Sequence, residues 1–255
     1  MELLKELHIL TRDGKLNQDT RRKLKQVYHL FQFIEPLLEN DTTLVDMGAG
    51  KSYLGFIIYD LFFKNKKSGT VVGVESRQEL VSKSIDLANR LQFSRMKFLP
   101  LTVEESIKSN KLPETIDVVT ALHACDTATD DAIDFGLAKK TKHFVLVPCC
   151  QAEVASILKK NKSSSIQKNV LTEIWRHPIH TREFGSHMTN VLRCLRLEAH
   201  GYQVRVTELI GWEHSMKNEL IIATFKDLPK KYPAERLSSV LREFGIEEMS
   251  SRFQV

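Results

Sequence analysis

Two kinds of hydrophobic pattern alternate along this chain. Short apolar runs of strand type occur at 43–47, 71–75, 96–99, 116–121, 143–148, 203–210 and 219–225. Between or beside them, apolar residues recur with helical period at 18–39, 50–64, 78–91, 182–200 and 233–244. Strands that alternate with helices are typical of an α/β domain whose parallel sheet is covered on both faces.

The first strand run leads into a glycine turn and then a helical pattern, within residues 43–59. Such a strand, turn and helix unit favours a nucleotide-type ligand, because glycines let backbone and ligand approach closely. A phosphate-binding P-loop would need glycine at position 45, which is Val45. A dinucleotide fingerprint would place its third glycine at position 53, which is Tyr53. The remaining motif is a D-x-G-x-G turn, formed by Asp46, Gly48 and Gly50.

A second carboxylate follows the next strand run. Residues 70–74 are apolar and end at Glu75, about where an acidic side chain meets a ribose diol in Rossmann-like units. With the D-x-G-x-G turn, this makes the chain resemble the Rossmann-like methyltransferases that depend on S-adenosylmethionine (SAM). The resemblance covers roughly residues 43–225.

The resemblance implies a seven-stranded, mostly parallel sheet with an antiparallel last strand and helices on both faces. It implies that Asp46 supports the turn, that Gly48 and Gly50 admit the methionine part of SAM, and that Glu75 accepts both ribose hydroxyls. The residues it assigns to cofactor binding are Asp46, Gly48, Ala49, Gly50, Tyr53, Glu75, Ser76, Leu101, Thr102 and His123.

Reactive side chains follow the fourth and fifth strand runs, which are neighbours in this fold. Asp126 and His123 are candidate general bases for a hydroxyl acceptor, whereas backbone carbonyls and side-chain acceptors could orient an amine or ring nitrogen without a strong base. Cys149 and Cys150 are candidates for covalent addition to a pyrimidine ring. The catalytic candidates are therefore Asp126, His123, Cys149 and Cys150.

Three short segments narrow the resemblance to one branch of methyltransferases. They are His123-Ala-Cys125-Asp126, Pro148-Cys149-Cys150 and Lys217-Asn218. The chain is similar here to the catalytic cores of enzymes that methylate a 2′-hydroxyl in the tRNA acceptor stem. It is also similar to the methyltransferase domain of the glutathione-S-transferase C-terminal-domain-containing proteins. Asp126 stands where that branch more often has glycine.

Length and composition predict one α/β domain with small additions. The 255 residues divide into an N-terminal helical extension (1–41), a methyltransferase domain (42–226) and a C-terminal helical tail (227–255) packed on it. No apolar run reaches membrane-spanning length and the N-terminus lacks a signal-peptide core, so we expect a cytoplasmic protein without a membrane partner. The four cysteines form no metal-binding pattern, so we expect no metal.

The net charge and the basic segments of the chain indicate the class of methyl acceptor. The net charge is +5 and the isoelectric point is about 8.9, which favours acidic partners. A predicted helix carries a basic face at 21–25, and the segment 175–187 interleaves cationic, imidazole and aromatic side chains. We therefore expect an RNA acceptor, tRNA or rRNA. The alternatives are a protein side chain or small-molecule acceptor, and a SAM-binding module without catalysis.

Overall fold

The computed structural model describes residues 3, 18–124, 127–148, 151–161, 173–174, 176–209 and 219–255. They contain a seven-stranded sheet. Its strands are β1 (Thr43–Met47), β2 (Thr70–Val74), β3 (Met96–Leu99), β4 (Val118–Ala124), β5 (His143–Pro148), β6 (Tyr202–Glu208) and β7 (Glu219–Phe225).

The strand order is β3-β2-β1-β4-β5-β7-β6. Strands β1 to β5 pair in parallel, and β7 is antiparallel to both β5 and β6. The predicted fold is therefore confirmed. Because the chain winds outward in both directions from β1 and β4, their carboxyl ends open the crevice where ligands bind in such sheets. We call the side of the sheet at which β1, β2, β4 and β5 end the carboxyl edge.

Helices cover both faces of this sheet. They are α1 (Gln18–Ile34), α2 (Tyr53–Ile58, continued by a π turn to Phe63), α3 (Gln78–Arg90), α4 (Val103–Lys108), α5 (Ala128–Ala138), α6 (Glu153–Asn161), α7 (Pro178–Ala199) and α8 (Lys231–Glu243). Among the helices described, none is long and apolar enough to cross a membrane.

Side chains alternate between the two faces of the sheet along each strand, so the buried residues form two cores, one on each face. In β1, Leu44 packs with α1, α2 and α3 on one face, and its neighbour Val45 packs with α5 on the other. Val71 and Val72 of β2 divide in the same way. Successive strand residues point to opposite faces, so one apolar run supplies both cores.

A third cluster joins the C-terminal tail to the domain. Leu237 and Leu241 of α8 are buried against Leu192 and Leu195 of α7 and against Leu158 of α6. The tail thus extends the helical layer of the second face.

Several elements start or end away from their predicted positions, and for two helices the local reason is clear. Helix α2 begins at Tyr53 instead of residue 50, because residues 48–52 form the turn. Helix α7 begins at Pro178 instead of residue 182. Proline is suited to the first helical turn because its φ is already helical and its missing N–H would have had no partner there.

Helix α7 runs from the carboxyl edge of the sheet to the side at which β1 and β4 begin. Since β5 and β6 are both antiparallel to β7, β6 runs parallel to β5, and α7 must return in the opposite direction. A Cβ added at Gly185 would lie 2.7 Å from the backbone nitrogen of Ala155 in the first turn of α6. Gly185 is therefore level with the carboxyl edge, and residues 176–184 extend beyond it.

Ser52 is a strained position in the glycine turn. It has φ +54°, is fully buried, and its Oγ has no hydrogen-bond partner among the described residues. We predict that Ser52→Gly is more stable than Ser52→Ala by about 1 kcal/mol, because only glycine adopts this backbone without strain. Urea unfolding of both variants measures the difference. Equal stabilities would show that the backbone at residue 52 is not strained.

Candidate active site

The glycine turn lies at the carboxyl end of β1 and is tied to β2. Gly48 and Gly50 have φ of +65° and +57°, which glycine adopts without strain. The Ala49 N–H donates to the Val74 carbonyl oxygen over 3.0 Å. A Cβ at Gly48 would meet nothing within 4 Å, so the turn presents an open backbone surface.

Glu75 closes the other side of this surface. Its carboxylate is buried and accepts the Gly50 N–H on Oε2 over 2.9 Å. Arg77 donates to Glu75 Oε1 from Nε over 2.9 Å and from its backbone N–H over 3.0 Å. These bonds lower the pKa of Glu75, the Arg77 side chain most and the two N–H groups further, against the opposing effect of burial. Glu75 is thus an ionised acceptor at neutral pH.

The pKa of Asp46 is shifted in the opposite direction to that of Glu75. It is buried in β1 and accepts a hydrogen bond from Thr120 Oγ1 of β4 over 2.7 Å. Burial raises the pKa of Asp46 to about 7, although the bond from Thr120 acts in the other direction. The two predicted carboxylates of the cofactor site therefore differ in charge near neutral pH, because one is desolvated and the other is met by donors.

The structure also describes four further cofactor-site candidates. Tyr53 is half-buried against the first core, Ser76 is exposed, and Leu101 is half-buried against the second core. Thr102 is the N-cap of α4. Its Oγ1 accepts the Glu105 N–H over 3.2 Å, and Glu105 Oε2 accepts the Thr102 N–H over 2.7 Å. Thr102 thus has a structural role that the sequence analysis missed, although Thr102 and Glu105 have the spacing of a capping box.

The acceptor-side candidates follow β4 and β5. These strands pair with Ala124 opposite Pro148, which confirms that the fourth and fifth strands are neighbours. The backbone of His123 belongs to β4, beside a register shift between Leu122 and Ala124, so β4 is longer than predicted. The candidates Asp126, Cys149 and Cys150 lie outside the described residues.

A buried polar network at the carboxyl edge was missed by the sequence analysis. Arg193 of α7 donates from Nε and Nη2 to the two carboxylate oxygens of Asp130 in α5, over 2.8 and 2.7 Å. Its Nη1 donates to Asn190 Oδ1 over 3.0 Å, and Asn190 Nδ2 donates to Glu219 Oε2 over 2.9 Å. His187 Nδ1 lies 3.7 Å from that oxygen. We call Asp130, Arg193, Asn190 and Glu219 the edge network.

The sequence analysis missed two other contacts, that of Arg77 with Glu75 and that of Thr120 with Asp46. The first of them could have been expected from the sequence. Arg77 follows Glu75 at a distance of two residues, where a flexible cation readily returns to a carboxylate. Thr120 was read only as part of an apolar strand, and its contact with Asp46 depends on the pairing of β1 with β4. Sequence spacing could not reveal that pairing.

The geometry around Gly48 and Glu75 defines a class of protein. An open glycine turn at the switch point of the sheet suits an aminoacyl tail, and an ionised carboxylate beside it suits a sugar diol. The residues present thus fit SAM, and the site is that of a Rossmann-like enzyme with a nucleoside cofactor.

Comparison with known proteins gives the family. A family model described as a methyltransferase domain matches residues 22–157. The chain therefore belongs to this family and contains a methyltransferase domain.

Curated relatives carry the name of one of the two groups that the sequence analysis found similar, which confirms that resemblance. A glutathione S-transferase C-terminal domain-containing protein homolog from Drosophila melanogaster is 24% identical over 225 residues, covering 80% of this chain and 37% of that protein. The Bos taurus protein of that name is 23% identical over 230 residues, covering 83% and 34%. The chain thus spans about a third of the length of the curated relatives it matches.

A solved structure shows the same fold. Magnesium protoporphyrin IX methyltransferase from Synechocystis PCC 6803, with bound SAH, has a TM-score of 0.50 and 11% identity. The match covers 88% of this chain and 94% of that one. It confirms the Rossmann-like methyltransferase architecture.

The raised pKa of Asp46 predicts a specific pH dependence of stability. Its value is about 7 in the folded chain and 3.8 without the fold, so the folded state binds more protons between these limits. This contribution to stability is fully present below pH 3.8 and is lost as the pH rises through 7. Relative to Asp46→Asn, the wild type should lose on the order of 4 kcal/mol across this range. Urea unfolding of both proteins from pH 4 to 8 measures the difference, and a constant difference would contradict the prediction.

Proposed function

We propose that this methyltransferase transfers the methyl group of SAM to an RNA acceptor, tRNA or rRNA. One observation carries the proposal: the N-terminal ends of α1 and α7 point toward the carboxyl edge from opposite faces of the sheet, and both carry cationic residues. A polyanion that crosses the site would meet cations on both sides.

The α7 side is the better defined of the two. Residues 176–184 extend past the carboxyl edge. Their exposed side chains include Arg176, His177, His180 and Arg182. The rings of His177 and His180 lie 5.4 Å apart, edge to face. Flat rings beside guanidinium groups are suited to bases and phosphates of single-stranded RNA.

The α1 side follows from the direction of the helix. Its C-terminal end leads through residues 35–42 into β1, and in that link Glu39 pairs with Lys142 at the start of β5, over 3.2 Å. Its apolar face shares a core with Leu209 and Leu220, near the carboxyl edge. The first turns of α1, with the basic sequence 21–25 and an exposed Arg21, thus extend toward the site.

The cofactor roles are proposed on the same geometry. SAM supplies an electrophilic methyl group on a sulfonium. Gly48 and Gly50 would accommodate its aminoacyl tail, and Glu75 would accept its ribose hydroxyls. Arg77 now donates to Glu75 and is 68% exposed, so it has room to turn aside toward solvent when the diol takes its place. Asp46, with Thr120, would hold the turn in register.

On the acceptor side, we propose that Asp126 or His123 removes the proton of an acceptor hydroxyl. Methyl transfer is an in-line displacement, so orientation of the acceptor supplies much of the rate. Cys149 and Cys150 would take part only if the acceptor is a pyrimidine carbon, where a thiolate would first add to the ring.

We predict that Glu75→Gln weakens SAM binding by about 10- to 100-fold, since hydrogen bonds to a charged group are lost. Calorimetric titration with SAM measures the affinity. The matched control is Glu79→Gln, an exposed residue of α3 paired with Lys83, which should bind as the wild type does. Equal affinity of both variants would remove Glu75 from the cofactor site.

A second prediction concerns RNA. Arg21→Gln/Arg182→Gln should weaken tRNA binding and lower the slope of log affinity against log salt by about 1 to 2, because two phosphate contacts are removed. The control Lys140→Gln/Lys231→Gln removes two exposed cations at the opposite edge of the sheet and should leave the slope unchanged. Filter binding at several salt concentrations measures both.

Release of S-adenosylhomocysteine identifies the acceptor. Wild type and Asp126→Asn are incubated with SAM and total tRNA, rRNA, protein extract or a metabolite extract. Turnover on RNA that Asp126→Asn abolishes would support the proposal. Turnover only on protein or metabolites would replace RNA with that acceptor, and SAM binding without turnover would indicate a binding module.

A further inference from the structure

The edge network contains a fully buried ion pair. A gain in folding stability does not explain why this pair is present. The side chains of Arg193 and Asp130 are 1% and 2% exposed, and their contact is a two-pronged ion pair. Because both charges lose their water, such a pair contributes little more than an apolar pair of the same shape would. What it does provide is fixed geometry, since a planar guanidinium donates to both oxygens of a carboxylate in one orientation only.

The network joins three segments at the carboxyl edge. Asp130 lies in the first turn of α5, which follows β4 and the candidate base Asp126. Asn190 and Arg193 lie on α7, whose N-terminal end extends past the edge. Glu219 is the first residue of β7. The cofactor-side groups Gly50 and Glu75 are on the other strands and take no part in these bonds.

We infer that Arg193 is a positioning residue for methyl transfer, which holds the segment after β4 in register with α7 and the start of β7. The inference rests on the proposed function in that the segment after β4 carries the acceptor-side groups. Arg193 contacts this segment at Asp130 in the described structure. It acts through Asp130.

A matched pair lies one turn further along the same two helices. Arg196 Nη2 of α7 donates to Asp134 Oδ1 of α5 over 2.5 Å, and Arg196 Nε donates to the Gln254 carbonyl oxygen over 3.2 Å. Since α5 and α7 both run away from the carboxyl edge, this pair is further from the acceptor segment. Arg196→Met therefore removes an arginine–aspartate pair at a place where positioning is not expected, and this pair is more exposed, since the Asp134 side chain is 46% exposed.

The test compares Arg193→Met with Arg196→Met. For Arg193→Met we expect kcat to fall about tenfold or more, with SAM affinity within about threefold of wild type. Hydrogen exchange of residues 119–131 should become faster while that of α3 does not. Arg196→Met should keep kcat and the exchange of 119–131 near wild type. Arg193→Lys should recover part of kcat. Lysine keeps the positive charge opposite Asp130, but it lacks the planar guanidinium that donates two parallel hydrogen bonds.

A double variant separates positioning from stability. Asp130→Leu/Arg193→Met replaces the ion pair by apolar side chains, and its unfolding midpoint should exceed that of Arg193→Met, because no unpaired buried charge remains. Its kcat should stay low. If kcat instead returns together with stability, Arg193 has only a structural role and the inference is overturned.

Failure of this inference is distinguishable from failure of the proposed function. If the wild type does not methylate RNA, the proposed function fails, and the exchange of residues 119–131 still decides the inference. Unchanged exchange in Arg193→Met would overturn the inference whatever the acceptor is.

Discussion

The hydrogen bond from the Gly50 N–H to the Glu75 carboxylate connects the two halves of the proposed cofactor site. It joins the turn after β1 to the end of β2, and the bond from Ala49 to Val74 runs beside it. Both contacts require β1 and β2 to be parallel neighbours, with Asp46 opposite Gly73. They also require positive φ at Gly50, because that backbone directs the N–H toward Glu75. The open surface of the turn depends on all of these conditions.

The sheet itself explains why polar chemistry collects at its carboxyl edge. The central strands are largely apolar on both faces, so burial raises the pKa of a carboxyl group within them, as it does for Asp46, while Thr120 donates a hydrogen bond to it. At the carboxyl edge, backbone N–H groups and the Arg77 side chain donate to Glu75, which remains charged. The turn therefore has a carboxyl group of raised pKa below it and an anion beside it.

The two sides of the site are supported by different means. On the proposed cofactor side, the backbone bond from Ala49 to Val74 and the bond from the Gly50 N–H to the Glu75 carboxylate join the turn to β2. On the proposed acceptor side, β4 and β5 pair through their backbones, and the helices beside them are joined by side-chain contacts with Arg193 at their centre. A fixed cofactor and an acceptor wall set by side chains suit a family whose members share one methyl donor.

The sequence by itself determined the fold and the cofactor. The alternation of strand and helix patterns, the D-x-G-x-G turn at Asp46 to Gly50 and the carboxylate at Glu75 are local features, so spacing alone reveals them. Only the tertiary structure decided that Thr120 meets Asp46 and that Arg193 meets Asp130, residues 74 and 63 positions apart. Such contacts depend on which strands and helices become neighbours, and no local pattern encodes that choice. For the same reason the sequence treated Asp130 as a residue of a helical first turn, although packing against α7 made it the partner of a buried arginine.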